Sequence, residues 1–301
     1  ADVSFNPYLY VETTLKSDAT SIFETPLRKR VFRDSRTRNN FIKELGSNRV
    51  FENIRPEQQF LIDTYSKENE NLEFTQHPLR IFYIDIEVYC PDFFPTPEEA
   101  SQPINVVTIY DSLDNKFYTW GTKKLQKKID NCEYVYCETE AILLRCMLNY
   151  IHNASPDIIS GWNSEGFDIP YTVNRITKTL SKEDTKRLCL WNQYPRKREY
   201  EKFGKTSVTY DLIGRVHIDS LELYRKYNYE ERHTYRLDAI GELEIGETKT
   251  VYEGSLDALY NNDFRTFIEY NIQDTALLDK LDKKLKFIDL ANTVAHENTV
   301  L

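Results

Sequence analysis

The chain has 301 residues, of which 40% are hydrophobic, 29% charged and 13% aromatic, and its formal net charge is −9. That length fills one large or two modest cores, and 21 Tyr with 16 Phe exclude intrinsic disorder, which lacks such residues. No apolar run reaches the length of a membrane span; no secretory signal is visible, and the start at Ala1 without Met reads as trimmed or internal.

The first segment, 1–79, reads as a small α+β domain. Tyr8-Leu9-Tyr10-Val11 is rich in β-formers, and a helical pattern covers 37–45. Between and around them lies the densest basic patch, Arg28, Lys29, Arg30, Arg33, Arg36 and Arg38; smaller ones are Lys123, Lys124, Lys127 and Lys128, then Arg196-Lys197-Arg198. Such patches carry phosphate contacts even in an acidic protein, although each also reads as ordinary solvated surface. The polar run 66–71 reads as a loop.

From Ile81 the pattern changes. Strands are predicted over 81–88, 104–110 and 116–120, and Pro91, Pro95, Pro97 and Pro103 keep the first connection irregular. Cys132 and Cys137 lack partners at zinc-finger spacing and read as strand residues. With Cys90, Cys146 and Cys189 they fit no disulfide framework, which implies a reducing, cytoplasmic compartment. A helix over 139–151 places Ile142, Leu143, Cys146, Met147 and Tyr150 on one face. A short buried strand over 157–162 precedes a helix over 171–180. The remainder is mainly helical and ends in one long amphipathic helix from Phe264 to about Leu290. The fold class is therefore α/β, a mixed sheet with flanking helices.

Three short motifs carry acidic groups on these elements. Asp85 and Glu87 stand two apart on the first apolar strand, so they share a face; buried there, they need a cation, and on an edge strand they would simply meet water. Asp168 closes Asn163-Ser164-Glu165-Gly166-Phe167-Asp168 after the later strand, where an ordinary helix cap is the plain alternative. Tyr270 and Asp274 stand four apart on the last helix and share its face. Each motif alone fits a structural role, but a chance occurrence of all three in this order is improbable. His77, His152, His217, His233 and His296 have no metal spacing. His217 reads as a packed or edge residue, and Asp219 as secondary and structural.

The number, order and element types of the motifs match the DEDD exonucleases with tyrosine in the last motif. The stretches 161–171 (GWNSEGFDIPY), 221–226 (LELYRK) and 270–275 (YNIQDT), with Pro7-Tyr8-Leu9-Tyr10 and 26–32 (PLRKRVF), resemble family B DNA polymerases, most of all the T-even bacteriophage replicative type. The resemblance covers nearly the whole chain, but the palm, fingers and thumb motifs of a polymerase do not occur in it. The chain thus reads as a fragment of a polymerase or a separate exonuclease, with 1–79 a partial amino-terminal domain and 80–301 a 3′–5′ exonuclease domain.

The resemblance implies a ribonuclease-H-like exonuclease fold and proofreading hydrolysis of a 3′ terminal phosphodiester during DNA replication. It implies two Mg²⁺ or Mn²⁺ ions, with Asp85 bridging both, Glu87 and Asp274 on the ion that binds the attacking water, and Asp168 on the other. Tyr270 would position water or phosphate, since a tyrosine hydroxyl keeps its proton near neutrality. Asn163 would contact the terminal nucleotide. Phe167 would stack near the primer end or join the core, and Lys249 would face the site or lie on the surface. The implied partners are single-stranded or frayed 3′ DNA ends, the polymerase domain and the sliding clamp of the parent replisome, in a host cell's cytoplasm if the source is a phage. A β-hairpin over 196–212, turning at Gly204-Lys205, would help separate primer from template. The competing readings are an RNA-processing ribonuclease of the same superfamily and a non-catalytic nucleic-acid-binding module.

Overall fold

A computed structural model describes residues 5–17, 19–51, 53–65, 78–90, 95–202, 205–247 and 256–298. The expected loop at 66–71, Lys249 and the hairpin tip at Gly204 lie outside these residues. The chain forms two compact units, which part between Gln76 and His77. No described helix is long and apolar enough to cross a membrane.

In the first unit, strands β1 (Tyr8–Glu12), β2 (Ala19–Thr20), β3 (Pro26–Val31) and β4 (Val50–Phe51) make a sheet of order β2-β3-β1-β4. Helices α1 (Ser35–Leu45) and α2 (Pro56–Tyr65) complete it. Asp34 caps α1 by accepting the Thr37 amide at 2.7 Å. One member of the expected basic patch leaves the surface. Arg38 is buried, with Nε donating to the Tyr8 carbonyl at 3.2 Å and Nη2 to that of Ile54 at 2.9 Å. Its guanidinium therefore satisfies backbone acceptors of this unit, while Arg28, Lys29 and Arg30 along β3 stay exposed.

The second unit is built on six strands: β5 (Ile81–Val88), β6 (Ile104–Asp111), β7 (Lys116–Gly121), β8 (Cys132–Tyr136), β9 (Ile158–Gly161) and β12 (Val216–Asp219), in the order β12-β9-β5-β6-β7-β8. The β5-β6-β7 meander is antiparallel, and the β9, β12 and β8 pairings are parallel. Helices α3 (Glu140–Ala154) and α4 (Asp168–Thr179) precede a two-stranded hairpin, β10 (Arg196–Lys202) with β11 (Lys205–Asp211). After β12 come α5 (Ser220–Tyr227), α6 (Leu237–Ile245), α7 (Leu256–Asn262), α8 (Phe264–Leu285) and α9 (Phe287–Glu297). This is the mixed α/β, ribonuclease-H-like architecture that the sequence implied.

Strand alternation divides the core into two layers. Phe82, Ile84 and Ile86 of β5 pack with Leu143, Leu144, Met147, Leu148 and Ile151 of α3 and with Ile169, Val173 and Ile176 of α4. Tyr83 faces the other way, toward Leu277, Leu278 and Leu281 of α8. Enclosing each such side chain contributes about 1.5–3 kcal/mol. The odd positions of β5 thus look toward α8, and this decides where Asp85 and Glu87 point.

Three local expectations change. The buried face of α3 is 143, 144, 147, 148 and 151, and Ile142 stands 39% exposed; the strip facing the sheet is rotated from the one expected. Cys137 lies just beyond β8, buried rather than in the strand. The last helix is two, because Lys286 adopts φ 53° and closes α8 by donating its N–H to the Asp282 carbonyl at 2.7 Å. The Asp282 carboxylate then accepts the Ile288 amide at 3.3 Å, which starts α9 in a new direction.

Candidate active site

The site forms where three elements of the second unit converge. On β5, Asp85 and Glu87 follow Tyr83 on the face toward α8, and the pairing with β6 shifts register between Glu87 and Val88. Bulges of this kind re-aim side chains at strand ends. On α8, Asp274 is buried and stands one turn beyond Tyr270, itself only 9% exposed. Oxygens of Asp85, Glu87 and Asp274 all lie within 4.8 Å of one another.

Asp168 arrives on the third element and is not part of that group of three. It opens α4 but does not cap it, since the cap residue is Phe167. Its carboxylate instead accepts the Ile86 amide of β5 at 3.3 Å, which ties the helix to the strand between the two β5 acids. Burial pushes Asp168 up to about 7; the Ile86 and Asp168 amides pull it down, and the nearby Asp219 and Asp274 charges push it up. A carboxyl so raised is costly to keep ionised without a compensating cation.

The connection from β9 to α4 is held in an unusual shape. Asn163 sits at φ 62°, a left-handed conformation asparagine tolerates better than most residues. A Cβ at Gly161 would lie 2.9 Å from the Ile84 carbonyl, so glycine is needed for β9 to approach β5 so closely. Asp219, at the end of β12, holds the turn. Its carboxylate accepts the amides of Asn163 at 3.1 Å and Glu165 at 2.9 Å while also capping α5 through Leu221 at 2.9 Å. The structural role expected for Asp219 is thus specific: it supports the loop that presents Asn163, Phe167 and Asp168.

These residues line a cleft of about 510 Å³ together with Trp162, Pro95, Pro97, Leu256 and Asp257. Phe167 joins the core, one of the two places expected for it. It borders the cleft and packs on the apolar core, its ring 5.1 Å from that of Tyr171. Among the described residues lining the cleft none is cationic. The donor set is all oxygen, which suits Mg²⁺ or Mn²⁺. Two ionised carboxylates about 4 Å apart repel by roughly 4 kcal/mol at an effective dielectric near 20, so three together fit a divalent cation better than water alone.

The hairpin approaches the same loop. Arg198 of β10 bonds to Glu165 and, at 2.9 Å, to Asp211 of β11. His217 stands beside them with Nε2 2.9 Å from Ser164 Oγ. Burial pushes its imidazole down to about 4, and the Arg198 charge adds to the shift. Packed histidine, as expected, describes it.

The sequence reading passed over Asn271, Asp257 and Trp162. Asn271 is fully buried and donates from Nδ2 to Asp85; the available signal was its place three residues before Asp274, on the same helix face. Asp257 accepts the Cys90 amide at 3.1 Å beyond the end of β5, and nothing in its local sequence marked it.

Residues 37–240 match the sequence model of the family described as DNA polymerase family B, exonuclease domain. The chain is 30% identical to the DNA-directed DNA polymerase of Escherichia phage RB69, over 96% of this chain and 35% of that protein. It is 28% identical to that of Enterobacteria phage T4, over 79% of this chain and 29% of that protein. A DNA polymerase of Pyrococcus glycovorans is 27% identical over 57% of this chain and 20% of its own length. The chain thus spans about a third of the first two relatives and less of the third.

Proposed function

The chain belongs to the family of exonuclease domains of family B DNA polymerases, and from that premise we propose that it removes nucleotides one at a time from the 3′ end of a DNA strand. The observation that carries this reading is the convergence of Asp85, Glu87 and Asp274 within 4.8 Å in an open cleft. Asp85, Glu87 and Asp274 would hold one divalent ion, and Asp168 with Asp85 a second. Bound there, the ions would supply Lewis-acid activation of water and charge stabilisation at the scissile phosphate.

The chain's own groups do the rest. The Ile86 amide fixes Asp168, and the Asp219 carboxylate fixes the loop carrying Asn163. Asn163 and Phe167 engage the terminal nucleotide from the cleft wall, and the Tyr270 hydroxyl orients the water or phosphate. Lys249 is proposed to face the bound phosphate. The substrate enters as a single strand or frayed end, because a paired end must melt before its 3′ phosphodiester reaches the carboxylates. In this reading residues 80–301 are the exonuclease domain, 1–79 a partial amino-terminal domain, and the polymerase domain and sliding clamp are the replisome partners.

A 5′-labelled DNA oligonucleotide tests the reading. The expected result is a ladder shortening from the 3′ end with Mg²⁺ or Mn²⁺, release of deoxynucleoside monophosphates, and no digestion in EDTA. Digestion that persists in EDTA, or that proceeds from the 5′ end, contradicts it; faster digestion of a matched RNA strand would favour the ribonuclease alternative.

A further inference from the structure

The interior of α8 contains one polar side chain that packing does not explain. Asn271 is completely buried, and its amide oxygen has no hydrogen-bond partner. One turn before it Phe267 and Ile268 are apolar and buried, and one turn after it Asp274 and Thr275 are polar and buried. An enclosed amide with one unmet acceptor is less stable than a well-packed apolar side chain of similar size. Thr275, one turn on and also buried, meets its own need by donating to the Ile272 carbonyl at 2.8 Å. Asn271 instead donates from Nδ2 to Oδ2 of Asp85, across from α8 to β5.

That bond has a consequence for the site. A strand aspartate turns freely about two torsions, and its two oxygens are equivalent until something distinguishes them. Asn271 holds Oδ2, and through that bond it fixes the carboxylate whose ligand oxygen lies within 4.8 Å of those of Glu87 and Asp274. A hydrogen bond to the outer oxygen of a metal-binding carboxylate orients it and favours its ionised form, and removing such a partner typically weakens metal binding by about 10–100-fold. We propose that Asn271 is a positioning residue that presents Asp85 to a divalent cation, kept buried with an unmet acceptor at a cost in stability. The inference rests on the metal-site reading above and adds to it a residue that touches neither ion nor substrate.

The test separates support of the site from support of the fold. Mn²⁺ binding is titrated by electron paramagnetic resonance on the whole chain without DNA, and thermal melting is followed in EDTA. Asn271→Leu is expected to melt at or above the wild-type temperature while its Mn²⁺ dissociation constant rises about tenfold or more. Thr275→Val, the buried control on the same helix, should bind Mn²⁺ as wild type does. If leucine is not accommodated, Asn271→Ala leaves a cavity but no unmet donor, and the same loss of affinity is expected from it. Wild-type Mn²⁺ affinity in these variants, with Asp85→Ala strongly impaired, overturns the inference and leaves the metal site standing. Wild-type affinity in Asp85→Ala as well overturns the metal reading, and the inference with it.

Discussion

Asp219 gives one carboxylate to several backbone amides at once, and the two oxygens divide the work. Oδ1 serves Asn163 and the first turn of α5, whereas Oδ2 serves Glu165 alone. Asparagine at this position would keep the oxygen and turn an amide donor toward the Glu165 N–H. We therefore expect Asp219→Asn to leave α5 capped and to loosen the loop between Asn163 and Asp168. Stability should fall by about 1–3 kcal/mol, the usual cost of an unmet buried group. The KM for single-stranded DNA should rise several-fold, more than kcat falls; steady-state kinetics with a circular dichroism melt reads both. An unchanged KM would limit Asp219 to capping a helix. The pairs Asp85 with Glu87 and Tyr270 with Asp274 were legible as sharing a face, because strand and helix periodicities fix this, whereas Asp168 was singled out only through the family resemblance. Asn271 and Asp219 were not legible as partners, because their roles depend on which strand and helix become neighbours.

At the scale of elements, runs rich in β-formers such as β5 and β6 were legible almost residue by residue, since strands buried on both faces read as near-continuous apolar runs. The division of the last helix was not. It depends on Asp282, which serves the Tyr83 hydroxyl at 2.7 Å and the start of α9 together, a tertiary coincidence no local window contains. The β10–β11 hairpin was expected from two strand-like stretches about Gly204-Lys205, and its part in strand separation only from its position; the two strands pair from Arg196↔Asp211 to Lys202↔Lys205. Its anchor is Arg198, bonded to Glu165 in the site loop. We expect deletion of residues 201–208 to slow digestion of paired ends much more than of single strands, because only a paired end must first melt. Parallel time courses on matched duplex and single-stranded oligonucleotides read the difference. Equal slowing would indicate a damaged fold, and no slowing would mean that the isolated chain does not use the ribbon.

At the scale of the whole molecule, buried ionisable groups near the site couple folding to pH, and two of them act in opposite directions. His217 is held down to about 4 from 6.5, so as pH falls from 6.5 toward 4 the unfolded chain takes up a proton that the folded chain refuses. Its contribution is fully present above pH 6.5 and is lost on acidification, on the order of 3 kcal/mol at the limit. Asp168 is pushed up to about 7 from 3.8 in the metal-free protein, so between pH 7 and 3.8 the folded chain binds the proton more tightly and acidification stabilises it. In EDTA, the stability difference between wild type and His217→Gln should therefore move against wild type as pH falls through 6.5 to 4. The difference between wild type and Asp168→Asn should move in favour of wild type below pH 7. Saturating Mg²⁺ should abolish the second trend, because a bound cation keeps Asp168 ionised in the fold, and should leave the first intact, since His217 bonds to Ser164 and lies outside the carboxylate cleft. Urea melts of the three proteins at pH 7.5, 6 and 4.5, with and without Mg²⁺, measure all four trends. If Mg²⁺ changes neither difference, Asp168 does not share its pocket with a cation.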